Sequence, residues 1–176
     1  KGDIGKVSKN YTVTGLVLTK DGERLLKKCL QSLAWCDEIL VVDSESRDHT
    51  RDIAENMGAR VLVRPWQGPG PQFEYALGQI ATDWVVSLDQ DEYLAPELGS
   101  AIQEALARDE DLAGYYVNRA NYYFDRFPRH GALYPDRLLR VFRSGQMEVR
   151  VSGAHYSFHP KGGTARLTGD ILHVPY

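Results

Sequence analysis

Hydrophobic positions along the chain switch between two periods. Val13-Thr14-Gly15-Leu16-Val17-Leu18 is a short run rich in β-formers that ends at Asp21-Gly22, the pattern of a strand closed by turn residues. Leu25, Leu26, Cys29, Leu30 and Leu33 then recur at helical spacing. Ile39-Leu40-Val41-Val42 is a continuous apolar run of strand length, as expected of a parallel strand covered on both faces. Polar residues Ser44 to Asp48 suit a cap, Ile53, Ala54 and Met57 mark the buried face of a second helix, and Gly58 stands where a C′ glycine stops one. The cycle repeats with Arg60-Val61-Leu62-Val63, a Gly68-Pro69-Gly70-Pro71 loop, and Phe73, Ala76, Leu77 and Ile80 at the spacing of an amphipathic helix. Trp84-Val85-Val86-Ser87-Leu88 predicts a fourth strand, and Pro96 opens a helix whose inner face is Leu98, Ile102 and Ala105.

Four strands alternating with four helices predict an α/β fold: a doubly wound, mainly parallel sheet with flanking helices. Ligands of such sheets bind outside the carboxyl ends of the strands. After Ala113 the texture changes. Tyr115, Tyr116, Tyr122, Tyr123, Phe124 and Phe127 crowd a short span, and Arg126, Arg129, Arg137, Arg140 and Arg143 follow. Further strands and loops are expected there, packed as a C-terminal flap beside the sheet.

Composition narrows the function. The 176 residues are 43% hydrophobic and 26% charged, with a net charge of -3. Nucleic acid is therefore not the expected partner, since such domains carry a basic excess. Cys29 and Cys36 form no metal-binding pattern, and a reducing cytoplasmic compartment fits two free thiols. No run reaches the roughly 20 apolar residues of a membrane span. The polar start, residues 1–10, reads as a disordered lead-in. No G-x-G-x-x-G, P-loop or G-x-S-x-G pattern occurs, which counts against dinucleotide, P-loop and serine-hydrolase chemistry.

The chemistry-bearing residues lie just past predicted strand ends. Leu88-Asp89-Gln90-Asp91-Glu92 places three carboxylates within four residues. Their repulsion is relieved by a hard cation such as Mg²⁺ or Mn²⁺, typically shared with phosphates, or the segment is a solvated turn capping the next helix. Asp43 and Ser44 end the second strand, where the acid either accepts hydrogen bonds from a ligand or caps the following helix. Thr19 brings a hydroxyl to the same edge of the sheet.

These pieces together resemble glycosyltransferase family 2, and among its members the bacterial lipopolysaccharide core transferases that add glucose to the inner core. The resemblance rests on Leu18-Thr19-Lys20, Trp35-Cys36-Asp37-Glu38-Ile39-Leu40-Val41-Val42-Asp43-Ser44, Asp83-Trp84-Val85-Val86-Ser87-Leu88-Asp89-Gln90-Asp91-Glu92, Arg129-His130-Gly131, Tyr134-Pro135-Asp136, Leu139-Arg140-Val141-Phe142-Arg143 and Ile171-Leu172-His173. It implies a GT-A fold over residues 11–176, with a nucleotide-binding half at 11–107 and an acceptor-side half at 108–176. It also implies inverting transfer of a hexose from a UDP-sugar to a lipopolysaccharide core or related glycan or glycolipid acceptor, in the cytoplasm or peripherally on the inner membrane. Thr19, Asp43 and Ser44 match positions near the uridine, Asp89 the ribose-side acid, and Asp91 the acid that binds Mg²⁺ or Mn²⁺. The chain departs from its relatives at Asp21-Gly22, where they carry Asn-Glu, at Gln72-Phe73-Glu74, where they carry Gln-Lys-Asn, and at Ala154-His155-Tyr156, where they carry Val-His-Glu. A free tyrosine titrates near pH 10 and does not replace a glutamate base, so Asp136 and then His155 are the candidates for the catalytic base. A non-catalytic sugar-nucleotide or glycan-binding relative is the alternative.

Overall fold

A computed structural model describes residues 9–123, 125–128, 130–131 and 134–175. The first eight residues of the polar lead-in, together with Phe124 and Arg129, lie outside the described residues. Strands β1 (Val13–Thr19), β2 (Glu38–Asp43), β3 (Arg60–Val63) and β4 (Trp84–Asp89) alternate with helices α1 (Leu26–Ser32), α2 (Thr50–Asn56) and α3 (Pro69–Gly78). A short β5 (Glu92–Leu94) precedes α4 (Pro96–Ala107). Five strands complete the chain: β6 (Gly114–Asn121), β7 (Asp136–Arg143), β8 (Met147–Ser152), β9 (His155–Pro160) and β10 (Thr164–His173). The predicted strands and helices of the first half are all present, but Pro69 to Pro71, expected in a loop, form the first turn of α3, Ile80 lies beyond its end, and β5 was not expected. Gly58 takes a φ of 79° at the end of α2, and Pro96 sits in the first turn of α4, each where its backbone chemistry belongs.

Among the described residues, eight strands form one sheet in the order β3-β2-β1-β4-β7-β6-β10-β5. The pairs β3–β2, β2–β1, β1–β4 and β6–β10 are parallel, whereas β4–β7, β6–β7 and β5–β10 are antiparallel. The sheet is therefore mixed but mainly parallel. Strand alternation splits its apolar side chains between two cores. Val13, Val17, Val41, Val86, Leu88, Tyr115 and Val117 pack with Leu26, Leu30, Leu98 and Ile102 from α1 and α4. Leu16, Leu40, Val42, Val85, Leu139 and Phe142 face the other way, onto Phe73 and Ala76 of α3 and Phe158 of β9.

The second half differs in one respect from expectation. Only the β8–β9 hairpin packs as a flap; β6, β7 and β10 extend the main sheet. The physical reason is burial against the sheet's own cores. Strand β7 sends Val141 into one core and Leu139 and Phe142 into the other, while β6 and β10 send Tyr115, Val117 and Ile171 into the first, so none of the three is stable at the surface.

Candidate active site

The parallel register sets Thr19 beside Asp43 and Leu18 beside Asp89. The carboxyl ends of β1, β2 and β4 therefore open on one edge, and a cavity of about 670 Å³ lies against it. Thr19, Lys20, Ser44, Glu45, Asp89 and Gln90 form its polar side, and Trp66, Phe73 and Tyr156 its apolar wall. Its size and mixture of walls are those of a small-molecule site.

Gln90 clasps the loop after β1. Its Oε1 accepts from Thr19 Oγ1 at 2.6 Å and from the Lys20 amide at 2.9 Å, while its Nε2 donates to the Lys20 carbonyl at 3.0 Å. Gly22 makes this clasp sterically possible. A Cβ there would collide with the Gln90 carboxamide and stand 2.8 Å from Thr19 Oγ1. The departure at Asp21-Gly22 and the clasp are thus one structural feature. Asp21 and Glu45 hold φ values of 46° and 60° in the loops on either side, a conformation non-glycine residues adopt at a cost.

Asp43 is fully buried. Its Oδ2 accepts from the Ser46 amide at 2.9 Å, its Oδ1 accepts from the Ser46 hydroxyl, and Arg51 Nε lies 3.8 Å away. It therefore holds the turn that presents Ser44 and Glu45 to the cavity. The Ser44 amide donates to the Thr19 carbonyl at 2.9 Å, which ties that turn to β1. The carboxylate serving α2 is instead Asp48, whose Oδ1 accepts from the Thr50 amide at 3.0 Å.

Asp89 reaches the cavity with 37% of its side chain exposed. Tyr156 donates to its Oδ1 at 2.6 Å and Arg140 Nη2 to its Oδ2 at 3.2 Å. Burial pushes the Asp89 carboxyl up, but the Arg140 guanidinium and the Tyr156 hydroxyl outweigh it and hold the carboxyl below its usual range. Behind it Glu92 is completely buried, accepting from the Asp89 amide at 3.0 Å and from Arg119 Nη1 and Arg140 Nη2 at 3.2 Å each. Arg119 also grips Asp136 Oδ2 at 3.0 and 2.7 Å. Sequence reasoning singled out neither Gln90 nor Arg119, took Glu92 only as one of three carboxylates near a cation, and gave Arg140 no partner within the chain. Their partners come from β1, β4, β6 and β7, and only the folded sheet brings these together.

Asp91 lies next to His173, whose Nε2 is 3.2 Å from Asp91 Oδ2. Asn121 Oδ1 engages the other ring nitrogen at 2.6 Å. With the proton on Nδ1, the Nε2 lone pair of a neutral ring points at a carboxylate. With the proton on Nε2 the ring instead donates to Asp91; the first arrangement leaves a lone pair and a carboxylate oxygen able to share a cation. Among the described residues no cluster of three or more His, Cys, Asp or Glu side chains could hold a metal by itself. An Asp–His pair suits an ion that draws its other ligands from substrate phosphates and water. The motif Ile171-Leu172-His173 was visible in the sequence, but its partner 82 residues earlier was not.

The two candidate bases occupy different surroundings. Asp136 begins β7, is 36% exposed, and is oriented by Arg119. His155 is exposed at the start of β9, and strand alternation sends it to the face opposite Tyr156. Burial above all raises the Tyr156 phenol, and neighbouring Asp89 adds to the rise despite the opposing pull of Arg140. The phenol therefore stays protonated and donates.

Comparison with known proteins gives the same picture. The chain is 31% identical over 169 residues to the lipopolysaccharide core biosynthesis glycosyltransferase LpsC of Rhizobium meliloti, an alignment covering 92% of this chain and 62% of LpsC. It is 36% identical over 96 residues to an uncharacterized glycosyltransferase of Rickettsia typhi, covering 54% of this chain and 33% of that protein. The chain thus spans less than two thirds of the length of these relatives. Among solved structures, S. aureus TarS 1-349 superposes with a TM-score of 0.58 at 20% identity, covering 77% of this chain and 48% of the other. Glucosyl-3-phosphoglycerate synthase from Mycobacterium tuberculosis gives a TM-score of 0.53 at 23% identity, covering 64% and 45%. The two share the GT-A fold with this chain. The family model described as Glycosyl transferase family 2 matches residues 16–164, and with strand ends, acidic pair and cavity arranged as above, the chain belongs to glycosyltransferase family 2.

Proposed function

We propose that this chain is the catalytic part of an inverting glycosyltransferase that moves a hexose from a UDP-sugar to a glycan acceptor of the lipopolysaccharide core type. The observation that carries the proposal is the cavity at the carboxyl ends of β1, β2 and β4, with Asp89 on its wall and the Asp91–His173 pair two residues beyond. Similar proteins support the donor: TarS has been solved with UDP-GlcNAc, and the mycobacterial synthase with Mn²⁺ and UDP. LpsC supports the acceptor class by its name. A cytoplasmic or membrane-peripheral location follows from that acceptor; no helix among the described residues is long and apolar enough to cross a membrane.

In this reading Thr19, Ser44 and the backbone of the clasped loop line the nucleoside part of the cavity, and Asp43 keeps the Ser44 turn in place. Asp89 accepts from a ribose hydroxyl, its carboxylate kept ionised by Arg140. Asp91 and His173 hold Mg²⁺ or Mn²⁺, and the imidazole favours Mn²⁺ because Mg²⁺ prefers oxygen ligands alone. A cation held there would supply Lewis-acid stabilisation of the diphosphate leaving group. The acceptor hydroxyl attacks the anomeric carbon while the bond from that carbon to the diphosphate oxygen breaks. UDP departs with the electron pair, and a general base takes the hydroxyl proton. Asp136, oriented by Arg119, is the first candidate for that base and the exposed imidazole of His155 the second; the protonated phenol of Tyr156 is unsuited to it.

The test is calorimetric titration of UDP with and without Mn²⁺ on the native chain, Asp91→Ala and His173→Ala. The expected outcome is metal-dependent binding weakened at least tenfold in both variants. UDP binding that ignores Mn²⁺, or is unchanged in both variants, would overturn the metal assignment. Metal-dependent UDP binding without turnover of any UDP-sugar would favour a binding relative, a reading to which Tyr156 in place of the relatives' glutamate lends weight.

A further inference from the structure

Positive charge is concentrated in one part of this acidic chain. Between Arg137 and Arg166 six Lys and Arg residues stand against a single acid, Glu148, although the chain as a whole has a net charge of -3. Three of the six are committed. Arg140 is buried against Asp89 and Glu92, Arg143 donates to the Leu112 and Glu110 carbonyls and lies over Trp84, and Arg150 is 3.6 Å from Glu148. Arg137 and Arg166 are exposed and have no carboxylate within ion-pair distance among the described residues.

These two arginines line the same groove. The register pairs Arg166 with Tyr116, Tyr116 with Leu139, and Asn118 with Arg137, so Arg166 of β10 and Arg137 of β7 flank Tyr116 of β6. A cavity of about 420 Å³ lies over them, lined also by Thr164. It shares Tyr116 and Arg137 with a neighbouring cavity of about 240 Å³, whose other walls include Arg140 and Tyr156. Tyr156 in turn lines the proposed donor cavity. Tyr156, which donates to Asp89, therefore stands between the donor cavity and the groove of the unpaired arginines. Its outer part joins an aromatic ring with two guanidinium groups, which match the planar oxygens of phosphate and carboxylate.

We infer that this groove is the acceptor subsite, and that the acceptor is an anionic sugar whose phosphate or carboxylate is held by Arg137 and Arg166 while its ring lies over Tyr116. The inference rests on the transferase reading for the word acceptor; the anion site itself stands on the two arginines and the groove.

The experiment is an NMR titration of the isotope-labelled chain, held with saturating UDP and Mn²⁺, using glucose 6-phosphate, glucuronate and glucose as probes. The expected result is saturable shifts centred on Tyr116, Thr164 and Arg166, with glucose at least tenfold weaker than one of the two anionic probes. Which anionic probe wins distinguishes phosphate from carboxylate. The Arg137→Gln/Arg166→Gln double variant should lose that preference while keeping its UDP affinity, which also shows that it is folded. Equal binding of glucose and both anionic probes, or unchanged anion binding in the double variant, would overturn the inference. So would binding to phosphatidylglycerol vesicles that depends on the two arginines while neither anionic sugar binds, since the surface would then be a membrane contact. Anion binding without any UDP binding would remove the donor reading and support the groove on its own.

Discussion

Tyr156 stands where the family resemblance implies a glutamate, and its consequences can be worked out at the scale of one hydroxyl. The phenol donates to Asp89 from a site where burial keeps it protonated. An unfolded tyrosine ionises near pH 10. Because the folded pKa is the higher of the two, this contribution to stability is whole below pH 10 and is lost as pH rises beyond it, by about 1.4 kcal/mol per pH unit. The Tyr156→Phe variant should therefore lose about 0.5–1.5 kcal/mol at pH 8, the worth of one hydrogen bond, and show a shallower decline above pH 10. Urea denaturation at pH 8, 10 and 11 checks both; parallel curves for the two proteins would mean that the phenol ionises normally. Asp89 carries the opposite sign. Its carboxyl is held below the ordinary value, so its contribution is present above about pH 4 and disappears as pH falls further.

At the scale of elements, β10 decides where His173 goes. Its pairing with β6 runs from Arg166↔Tyr116 directly to Asp170↔Asn118, so β10 spends two more residues than its partner. Such a bulge re-aims the strand that follows it, and here it precedes the segment that sets His173 beside Asp91. Gly169 makes the bulge possible: its φ is 108°, and a Cβ would stand 2.9 Å from three atoms of Leu98 in α4. Gly169→Ala should cost about 2–4 kcal/mol, from backbone strain together with overpacking against α4. Thermal or chemical denaturation measures this directly. A loss below 0.5 kcal/mol would mean that α4 shifts freely. Helix α3 offers a contrast. Pro69 and Pro71 remove two amide donors from its first turn, which leaves that terminus poorly equipped to cradle an anion.

At the scale of the whole molecule, the two halves of the sheet are joined by a set of charges centred on buried Glu92 and Arg140. Arg140 on β7 links the Ser87 carbonyl and Asp89 on β4 with Glu92 on β5, and Arg119 on β6 links Glu92 with Asp136 on β7. Removing Arg140 leaves the Glu92 carboxylate away from water with one fewer cation. Arg140→Met should therefore destabilise the chain by about 3–5 kcal/mol and, by releasing Asp89, weaken UDP binding as well. Chemical denaturation and the UDP titration on the same sample check the two effects, and a stability loss under 1 kcal/mol would show that the carboxylates are hydrated or protonated.

The division between what the sequence contains and what the fold adds follows the range of the interactions. Periodicity and turn chemistry are local, so β1 to β4, α1 to α4 and the position of Asp89 and Asp91 at a strand end were all legible from the residues alone. The family resemblance added a donor-side reading of those acids for the same reason, as short contiguous motifs. What the chain could not announce was which distant side chains would meet them. Gln90 clasping Thr19, Tyr156 and Arg140 meeting at Asp89, His173 facing Asp91 and Arg166 reaching the level of Arg137 all depend on strand order and on a bulge. The same holds for β6, β7 and β10, whose membership of the main sheet rests on burying apolar residues against distant strands and helices. Sequence by itself determined the elements and the acids they carry; tertiary structure alone decided their partners, because hydrogen bonds and ion pairs between strands are set by register and not by neighbourhood along the chain.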